Sequence, residues 1–122
     1  MALQYPLIEI ASVAPSNDGA DSGWSEGEFR VVLSEREGCS STFYQAILSP
    51  GESRERHVNQ ACDEMYYVVS GHGLAGVDGE RVELFAGHYH LIPKGTEHWL
   101  ANLGRNDPLV VIGLYDRAPN MQ

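Results

Sequence analysis

The stretch that decides the fold is residues 51–71, with the sequence GESRERHVNQACDEMYYVVSG. A polar half carries His57 and Asn59, and Glu64 then opens a run rich in Tyr and Val. Side chains alternate between the two faces of a strand, so we expect His57 and Asn59 on one face. A short loop leads to the next strand, where Glu64 can meet His57 across the strand pair.

A second stretch, residues 87–102, reads GHYHLIPKGTEHWLAN. Pro93 and Gly95 predict a tight corner, because proline fixes its own φ and glycine adopts turn conformations at little steric cost. The corner delivers His98 onto the strand that follows. Two separate stretches of the chain therefore bring potential metal-ligating side chains into strands.

The rest of the chain consists of short runs rich in Val, Ile, Tyr, Phe or Trp that end in Gly, Pro, Asn or Asp. Such runs are typical of strands and turns, and Asp78-Gly79 is a hairpin-turn signal. No amphipathic helical stretch of useful length is present, so the pattern predicts an all-β sandwich or barrel. The predicted strands are residues 5–13, 29–35, 41–49, 57–60, 64–71, 73–79, 80–85, 88–93, 98–103 and 109–116.

The chain has 122 residues, which predicts one domain. Eight Lys and Arg face 17 Asp and Glu, for a formal charge of -9. Phosphate backbones and anionic membranes repel such a chain, so we expect neither as a partner. Cys39 and Cys62 form no C-x-x-C pair, which excludes a disulfide framework or a zinc finger. The N-terminal sequence has no signal-peptide pattern, and we predict a cytoplasmic protein.

The two stretches resemble the two signature motifs of the cupin superfamily. The first motif consists of Gly, His-x-His, Glu and Gly, at the spacing of Gly51, His57, Asn59, Glu64 and Gly71. The second consists of Gly, Pro-x-Gly, His and Asn, at the spacing of Gly87, Pro93, Gly95, His98 and Asn102. The resemblance implies a single-domain jelly-roll β-barrel of about six to eight strands with a metal in its mouth. The barrel would span residues 14–116, after an N-terminal strand or arm at 1–13 and before a tail at 117–122.

One position departs from the family pattern, because Asn59 stands where the family has its second histidine. An amide oxygen is a weak ligand for first-row metals, whereas imidazole nitrogen is a good one. The remaining set of His57, Glu64 and His98 is that of non-haem iron enzymes and also suits zinc. We therefore expect one divalent ion (Fe²⁺, Zn²⁺, Ni²⁺ or Mn²⁺), with Asn59 as a weak ligand or a donor to substrate. Without a metal, His57 becomes an acid or base near neutral pH.

Residues around the ligands predict a substrate pocket. Tyr66 lies two residues after Glu64 and shares its face, where it is either a catalytic base beside a metal or a buried aromatic with a satisfied hydroxyl. Gln45 lies on a strand that should flank the site, and Leu100 lies two residues after His98. We predict that Gln45, Leu100, Asn59 and Tyr66 contact the substrate.

Two further groups have a simpler interpretation. Arg54 and Arg56 have acidic neighbours in sequence, so surface ion pairs are expected rather than a clamp on an anionic substrate. His88 and His90 are two residues apart on one predicted strand. They should share a face, and an exposed position on the barrel wall is favoured over a role as ligands or a proton relay.

Three functions fit these residues. A Lewis-acid metal would polarise a carbonyl or hydroxyl group while Tyr66 moves a proton, as in an isomerase, cyclase, dehydratase or other lyase. Small cupins that resemble this chain include polyketide-type cyclases, sugar-acid isomerases and lyases. Fe²⁺ on the same ligands would instead support a dioxygenase. A third possibility is a non-catalytic barrel that binds a small ligand. In each case we expect a homodimer, in which the first strand pairs with the partner's sheet edge.

Overall fold

The structure is a computed structural model and describes residues 5–117. Within these residues the chain forms nine β-strands. Two 3₁₀ turns, Ile10–Ser12 and Ala20–Ser22, precede β1, and a third, Glu35–Glu37, lies between β1 and β2. The strands are β1 Glu28–Leu33, β2 Thr42–Leu48, β3 Ser53–Val58, β4 Glu64–Ser70, β5 His72–Val77, β6 Glu80–Phe85, β7 Tyr89–Ile92, β8 Glu97–Asn102 and β9 Leu109–Tyr115.

The nine strands form two antiparallel sheets that share one core. The five-stranded sheet has the order β1-β2-β9-β4-β7, and the four-stranded sheet has the order β3-β8-β5-β6. Buried apolar side chains from both sheets pack into a single cluster. The predicted all-β fold is therefore confirmed. No helix within residues 5–117 is long and apolar enough to cross a membrane.

The strands predicted after residue 28 are present, with small differences at most ends. The clearest difference is β3, which was predicted over residues 57–60 but runs over Ser53–Val58. Residues 51–56 carry five polar or charged side chains and one glycine, so they look like a loop in the sequence. Pairing with β8 nevertheless makes them a strand, because tertiary context overrides local strand propensity.

The strand predicted at residues 5–13 is absent from the described part of the chain. Ile10–Ser12 form a 3₁₀ turn, and the side chains of Tyr5 and Leu7 are exposed. A strand needs a partner for its backbone groups, and no sheet pairing within residues 5–117 involves this segment. Residues 1–4 and 118–122, which belong to the predicted arm and tail, lie outside the described residues.

A bulge in β3 decides which of its side chains turn inward. Arg54 lies opposite Leu100 and His57 lies opposite His98, so three steps along β3 match two steps along β8. The extra residue reverses the alternation of faces. Arg54 is therefore buried, whereas Glu55 and Arg56 are exposed. The surface ion pair predicted for Arg54 is wrong, while exposed Arg56 does pair with a carboxylate, that of Glu97 at 3.2 Å.

Asn102, the last residue of the second motif, holds the end of β8. Its side-chain nitrogen donates to the carbonyl oxygens of Leu48 and Asp107 at 2.9 and 3.0 Å. Its side-chain oxygen accepts from the Gly104 amide at 2.6 Å. The asparagine thus joins β8 to β2 and to the loop before β9.

We predict that Asn102→Ala lowers the free energy of unfolding by about 2–4 kcal/mol, because three backbone groups lose their partner. Urea denaturation followed by tryptophan fluorescence measures this. The matched control is Asn106→Ala, at an exposed position in the neighbouring loop, which should change stability by less than about 0.5 kcal/mol. Equal effects of the two substitutions would contradict the role of Asn102.

Candidate functional site

Glu64 lies at the start of β4 with no exposed surface. Its Oε1 atom accepts from Arg54 Nη2 at 2.9 Å and from Asn59 Nδ2 at 3.0 Å. Its Oε2 atom accepts from Arg54 Nη1 at 3.1 Å and from the Tyr44 hydroxyl. A carboxylate offers about four lone-pair positions. Four donors from the protein therefore occupy the whole acceptor capacity of Glu64.

Arg54 is the cation of this cluster, and it is as fully buried as Glu64. Its Nε atom donates to the Ser22 carbonyl at 2.8 Å, and Nη2 also donates to the Tyr115 hydroxyl at 3.2 Å. The guanidinium carbon lies 4.5 Å from the centre of the Trp24 ring, in cation–π contact. The loop before β1 thus supplies two of the groups that enclose Arg54.

The charge of Arg54 determines the ionisation of Glu64. Burial raises the pKa of the Glu64 carboxyl group, but the Arg54 guanidinium, the nearby His98 imidazole and the hydrogen bond from Tyr44 together lower it by more, to about 2. Glu64 is therefore ionised at neutral pH. The pair is held by two parallel N–H···O bonds, the arrangement in which arginine binds a carboxylate most tightly.

His98 lies beside this pair on β8, with 2% of its surface exposed. Its Nδ1 atom is 2.8 Å from the Thr96 carbonyl oxygen. Because a carbonyl only accepts, Nδ1 carries the proton of that bond. The Nε2 atom lies 3.4 Å from Glu64 Oε1 and has no hydrogen-bond partner within residues 5–117. The His57 ring lies edge-on to the His98 ring, with 6.0 Å between centres.

The structure therefore brings His57, Glu64 and His98 into one region, but not as a set of metal ligands. Across residues 5–117, no group of three or more His, Cys, Asp or Glu side chains is arranged to hold a metal ion. The lone pairs that a metal would need on Glu64 are used by protein donors, and a guanidinium adjoins them. These residues, as arranged, do not fit a divalent ion. The metal site stays a prediction that the hydrogen bonds of Glu64 do not favour.

Asn59 contributes to the same cluster from just beyond the end of β3. Its Nδ2 atom donates to Glu64, and its Oδ1 atom has no hydrogen-bond partner in the described part of the chain. Its backbone carbonyl accepts from the Gly95 amide at 2.7 Å. Asn59 is fully buried. The amide therefore acts as a donor to the carboxylate, and contact with a substrate stays a prediction.

Two predicted pocket residues lie elsewhere. The buried side chains of β2 are Thr42, Tyr44, Ala46 and Leu48, so Gln45 lies on the outer face, opposite Tyr44. The prediction placed the wrong face of β2 inside. In the sequence, Phe43 and Ile47 are as apolar as Tyr44 and Leu48, so the pattern does not show which face is buried. Leu100 is 1% exposed and belongs to the apolar core.

Tyr66 and His90 form a second polar pair, between β4 and β7. The two residues lie opposite each other, and the Tyr66 hydroxyl is 2.9 Å from His90 Nδ1. Burial raises the pKa of Tyr66, so the phenol is protonated at neutral pH. Burial and then the charge of His98 lower the pKa of His90 below 6.5, which favours a neutral imidazole. The phenol oxygen can accept from a protonated Nδ1, and this tautomer of the neutral ring carries its lone pair on Nε2.

His90 also lines a cavity of about 580 Å³. We call it the His90 cavity, and its other lining residues are Val77, Glu80, Arg81 and Val82. His88 is exposed, and its Nδ1 atom accepts from the Phe85 amide at 3.0 Å. The two histidines do not share a face because β7 begins at Tyr89, so His88 lies in the preceding turn. The prediction of an exposed pair is correct for His88 and wrong for His90.

Residues that the sequence did not single out complete the interior. They are Tyr44, Trp24 and Tyr115, which contact Arg54 or Glu64. The alternation of β2 and β9 is the signal that places Tyr44 and Tyr115 inside, whereas nothing in the polar loop around Trp24 indicates that it folds over Arg54.

Comparisons with known proteins agree with this architecture. Residues 44–115, more than half of the chain, match the profile of the cupin domain family. The tetracenomycin polyketide synthase protein TcmJ of Streptomyces glaucescens is 31% identical over 114 residues, which is 92% of this chain and 72% of TcmJ. The uncharacterized protein MJ1618 of Methanocaldococcus jannaschii is 32% identical over 75 residues. That alignment covers 62% of this chain and 59% of MJ1618, so the chain spans less than two thirds of that relative.

A solved structure shows the same fold. The crystal structure of a predicted oxalate decarboxylase from Thermotoga maritima superposes with a TM-score of 0.77 at 26% identity, covering 90% of this chain and 97% of the other. The family match spans β2 to β9, including both motifs and the strands that place Glu64, His90 and His98. This chain therefore belongs to the cupin family.

Proposed function

We propose that this protein is a non-redox enzyme that moves protons on an enolisable carbonyl compound, in a reaction of the isomerase, cyclase, dehydratase or other lyase type. The observation that carries the proposal is the hydrogen-bonded pair of Tyr66 and His90 at the wall of the His90 cavity. A histidine that is neutral near pH 7 and reaches a cavity is suited to general acid–base catalysis.

The substrate class follows from the cavity and from one relative. The volume of the His90 cavity lies within the range of small-molecule sites, about 300–1,000 Å³. Its wall combines apolar Val77 and Val82 with charged Glu80 and Arg81. TcmJ, which aligns with nearly the whole chain, is named as a polyketide synthase protein. We therefore propose a polyketide-like substrate, in which carbonyl groups make neighbouring C–H bonds acidic.

In the proposed mechanism His90 is the catalytic residue and Tyr66 is a positioning residue. The Tyr66 oxygen accepts from the protonated Nδ1 of His90, which leaves the lone pair of the neutral ring on Nε2, toward the substrate. His90 removes a proton from the carbon next to a carbonyl, and the C–H electron pair forms an enolate. The Arg81 guanidinium at the same wall stabilises the negative oxygen. The proton on His90 Nε2 then returns to another carbon of the enolate, to the alkoxide formed when the enolate attacks a second carbonyl, or to a hydroxide that leaves as water.

Three alternative functions predict different experimental results. A Lewis-acid metal on His57, Glu64 and His98 would require Glu64 to leave Arg54, and it predicts loss of activity with a chelator. A dioxygenase predicts oxygen consumption by the iron-loaded protein. A non-catalytic binder predicts saturable ligand binding without proton exchange.

We predict that the protein accelerates deuterium exchange at the methyl group of benzoylacetone in D₂O, measured by NMR. Tyr66→Phe and His90→Gln should each slow this exchange by about 100-fold or more, the usual contribution of acid–base catalysis. The matched control is His88→Gln, which alters an exposed histidine two residues away and should keep the full rate. Full activity of His90→Gln, or no acceleration by the unaltered protein, would overturn the proposal.

The pH profile provides a second prediction. His90 is active as a base only when neutral, and its pKa is lowered by burial and by His98. The exchange rate should therefore stay high at pH 6.5 and fall only at lower pH, as His90 is protonated. Tyr66→Phe should shift the pH at which the rate falls, because the Tyr66 hydroxyl is hydrogen-bonded to His90 Nδ1. A limb above pH 7, or one that is the same in Tyr66→Phe, would assign the titration to another group.

We also propose that the protein is a homodimer. Large apolar side chains are exposed on the outer face of the five-stranded sheet, among them Tyr89 and Ile112. They border a groove that Ile10 of the N-terminal segment also lines. Light scattering coupled to size-exclusion chromatography should give twice the mass of 13.4 kDa. A monomer mass at high protein concentration would refute the dimer.

A further inference from the structure

We infer that Arg54 is the residue that decides which cation pairs with Glu64: its guanidinium excludes a divalent metal from His57, Glu64 and His98, and its removal opens a site for one. This inference does not depend on the proposed proton transfer at His90. It concerns the cation specificity of the interior, and metal binding measures it directly.

The side chain of Arg54 is fixed by contacts with several elements of the fold. Among residues 5–117, five contacts fix its guanidinium: two with Glu64, one each with the Ser22 carbonyl and the Tyr115 hydroxyl, and one with the ring of Trp24. Both side chains of the ion pair have no exposed surface. A side chain fixed in this way does not swing aside to admit an ion from solvent.

The Glu64 carboxylate cannot bind the Arg54 guanidinium and a divalent metal ion at the same time. A metal–oxygen bond of about 2.0–2.2 Å would bring a dication to within roughly 5 Å of a guanidinium nitrogen, in an interior without water screening. The lone pairs that the metal would need are already used by Arg54, Asn59 and Tyr44. Both charge and acceptor capacity therefore make the two cations alternatives.

Once Arg54 is removed, the groups that remain around Glu64 have the chemistry of a metal site. His98 Nε2 is buried without a hydrogen-bond partner in the described residues and lies 3.4 Å from Glu64 Oε1. The Thr96 carbonyl fixes its ring through Nδ1, as the outer partners of ligating histidines do. The Asn59 Oδ1 atom is likewise buried without a partner. With the adjacent His57 ring, Glu64 then supplies the third group of a two-imidazole, one-carboxylate set.

The experiment measures Co²⁺ and Zn²⁺ binding by calorimetry, with the visible spectrum of Co²⁺ as a report of coordination. Arg54→Met removes the charge and keeps most of the side-chain volume. Arg54→Gln is a second variant that still offers N–H donors to Glu64. Arg56→Met is the matched control, because Arg56 lies on the same strand, is exposed and pairs with Glu97. The double variant Arg54→Met/Glu64→Gln removes the carboxylate from the opened site.

We expect the unaltered protein and Arg56→Met to bind no stoichiometric Co²⁺ that gives a low-symmetry spectrum. At least one of Arg54→Met and Arg54→Gln should bind one equivalent, about 100-fold or more tightly than the unaltered protein. The double variant should lose this binding. Where a single variant is unfolded alone, one equivalent of Zn²⁺ should restore its near-ultraviolet circular dichroism.

Three results would overturn the inference. One is stoichiometric binding by the unaltered protein that Glu64→Gln abolishes, since this would show that metal and Arg54 coexist. Another is that neither Arg54 variant binds metal more tightly than the unaltered protein. The third is that both variants stay unfolded with and without metal. A failure of benzoylacetone exchange would leave these measurements unaffected, so the two proposals fail separately.

Discussion

The buried ion pair of Arg54 and Glu64 is the interaction on which the rest of the interior depends. Arg54 belongs to the four-stranded sheet and Glu64 to the five-stranded sheet, so the pair crosses between the two layers. Removing one partner of such a pair costs about 3–5 kcal/mol, because the other is left as an uncompensated buried charge. The surrounding hydroxyl and amide groups exist in this arrangement because two desolvated charges need every available hydrogen bond.

The role of Asn59, which stands where the family pattern has its second histidine, follows from the same constraint. Where cupins resembling this chain carry a histidine, Asn59 donates a hydrogen bond to Glu64. A neutral imidazole at that position would present a lone pair to a metal, whereas an amide nitrogen only donates. Arg54 and Asn59 together turn Glu64 from a group that could accept a metal into one that accepts protein N–H donors. The departure from the family pattern and the inward arginine are thus chemically consistent with each other.

The sequence predicted the fold better than it predicted the site, and the reason lies in single residues. Strand periodicity located β4 to β9, because alternate residues face the core or the solvent and turn residues separate the strands. The bulge between Arg54 and His57 leaves no mark of this kind in the sequence, yet it turns an arginine inward and changes the chemistry of the interior. Gln45 shows the same limit, since two phases of β2 are equally apolar and only packing chooses Tyr44.

One face of β4 carries two environments of opposite character. Glu64 and Tyr66 are neighbours on that face, two residues apart. Around Glu64, every acceptor position is filled and the loop containing Trp24 closes over the cation, so the cluster has no surface exposed to solvent. Tyr66 instead contacts His90, which borders a cavity that reaches solvent. Acid–base chemistry needs access to a ligand and a group whose proton can move, and of these two environments the Tyr66–His90 pair combines them, which is why we propose it as the site. Glu64 thus joins the two sheets of this chain, whereas the catalytic residue that we propose, His90, lies opposite Tyr66, two residues further along β4.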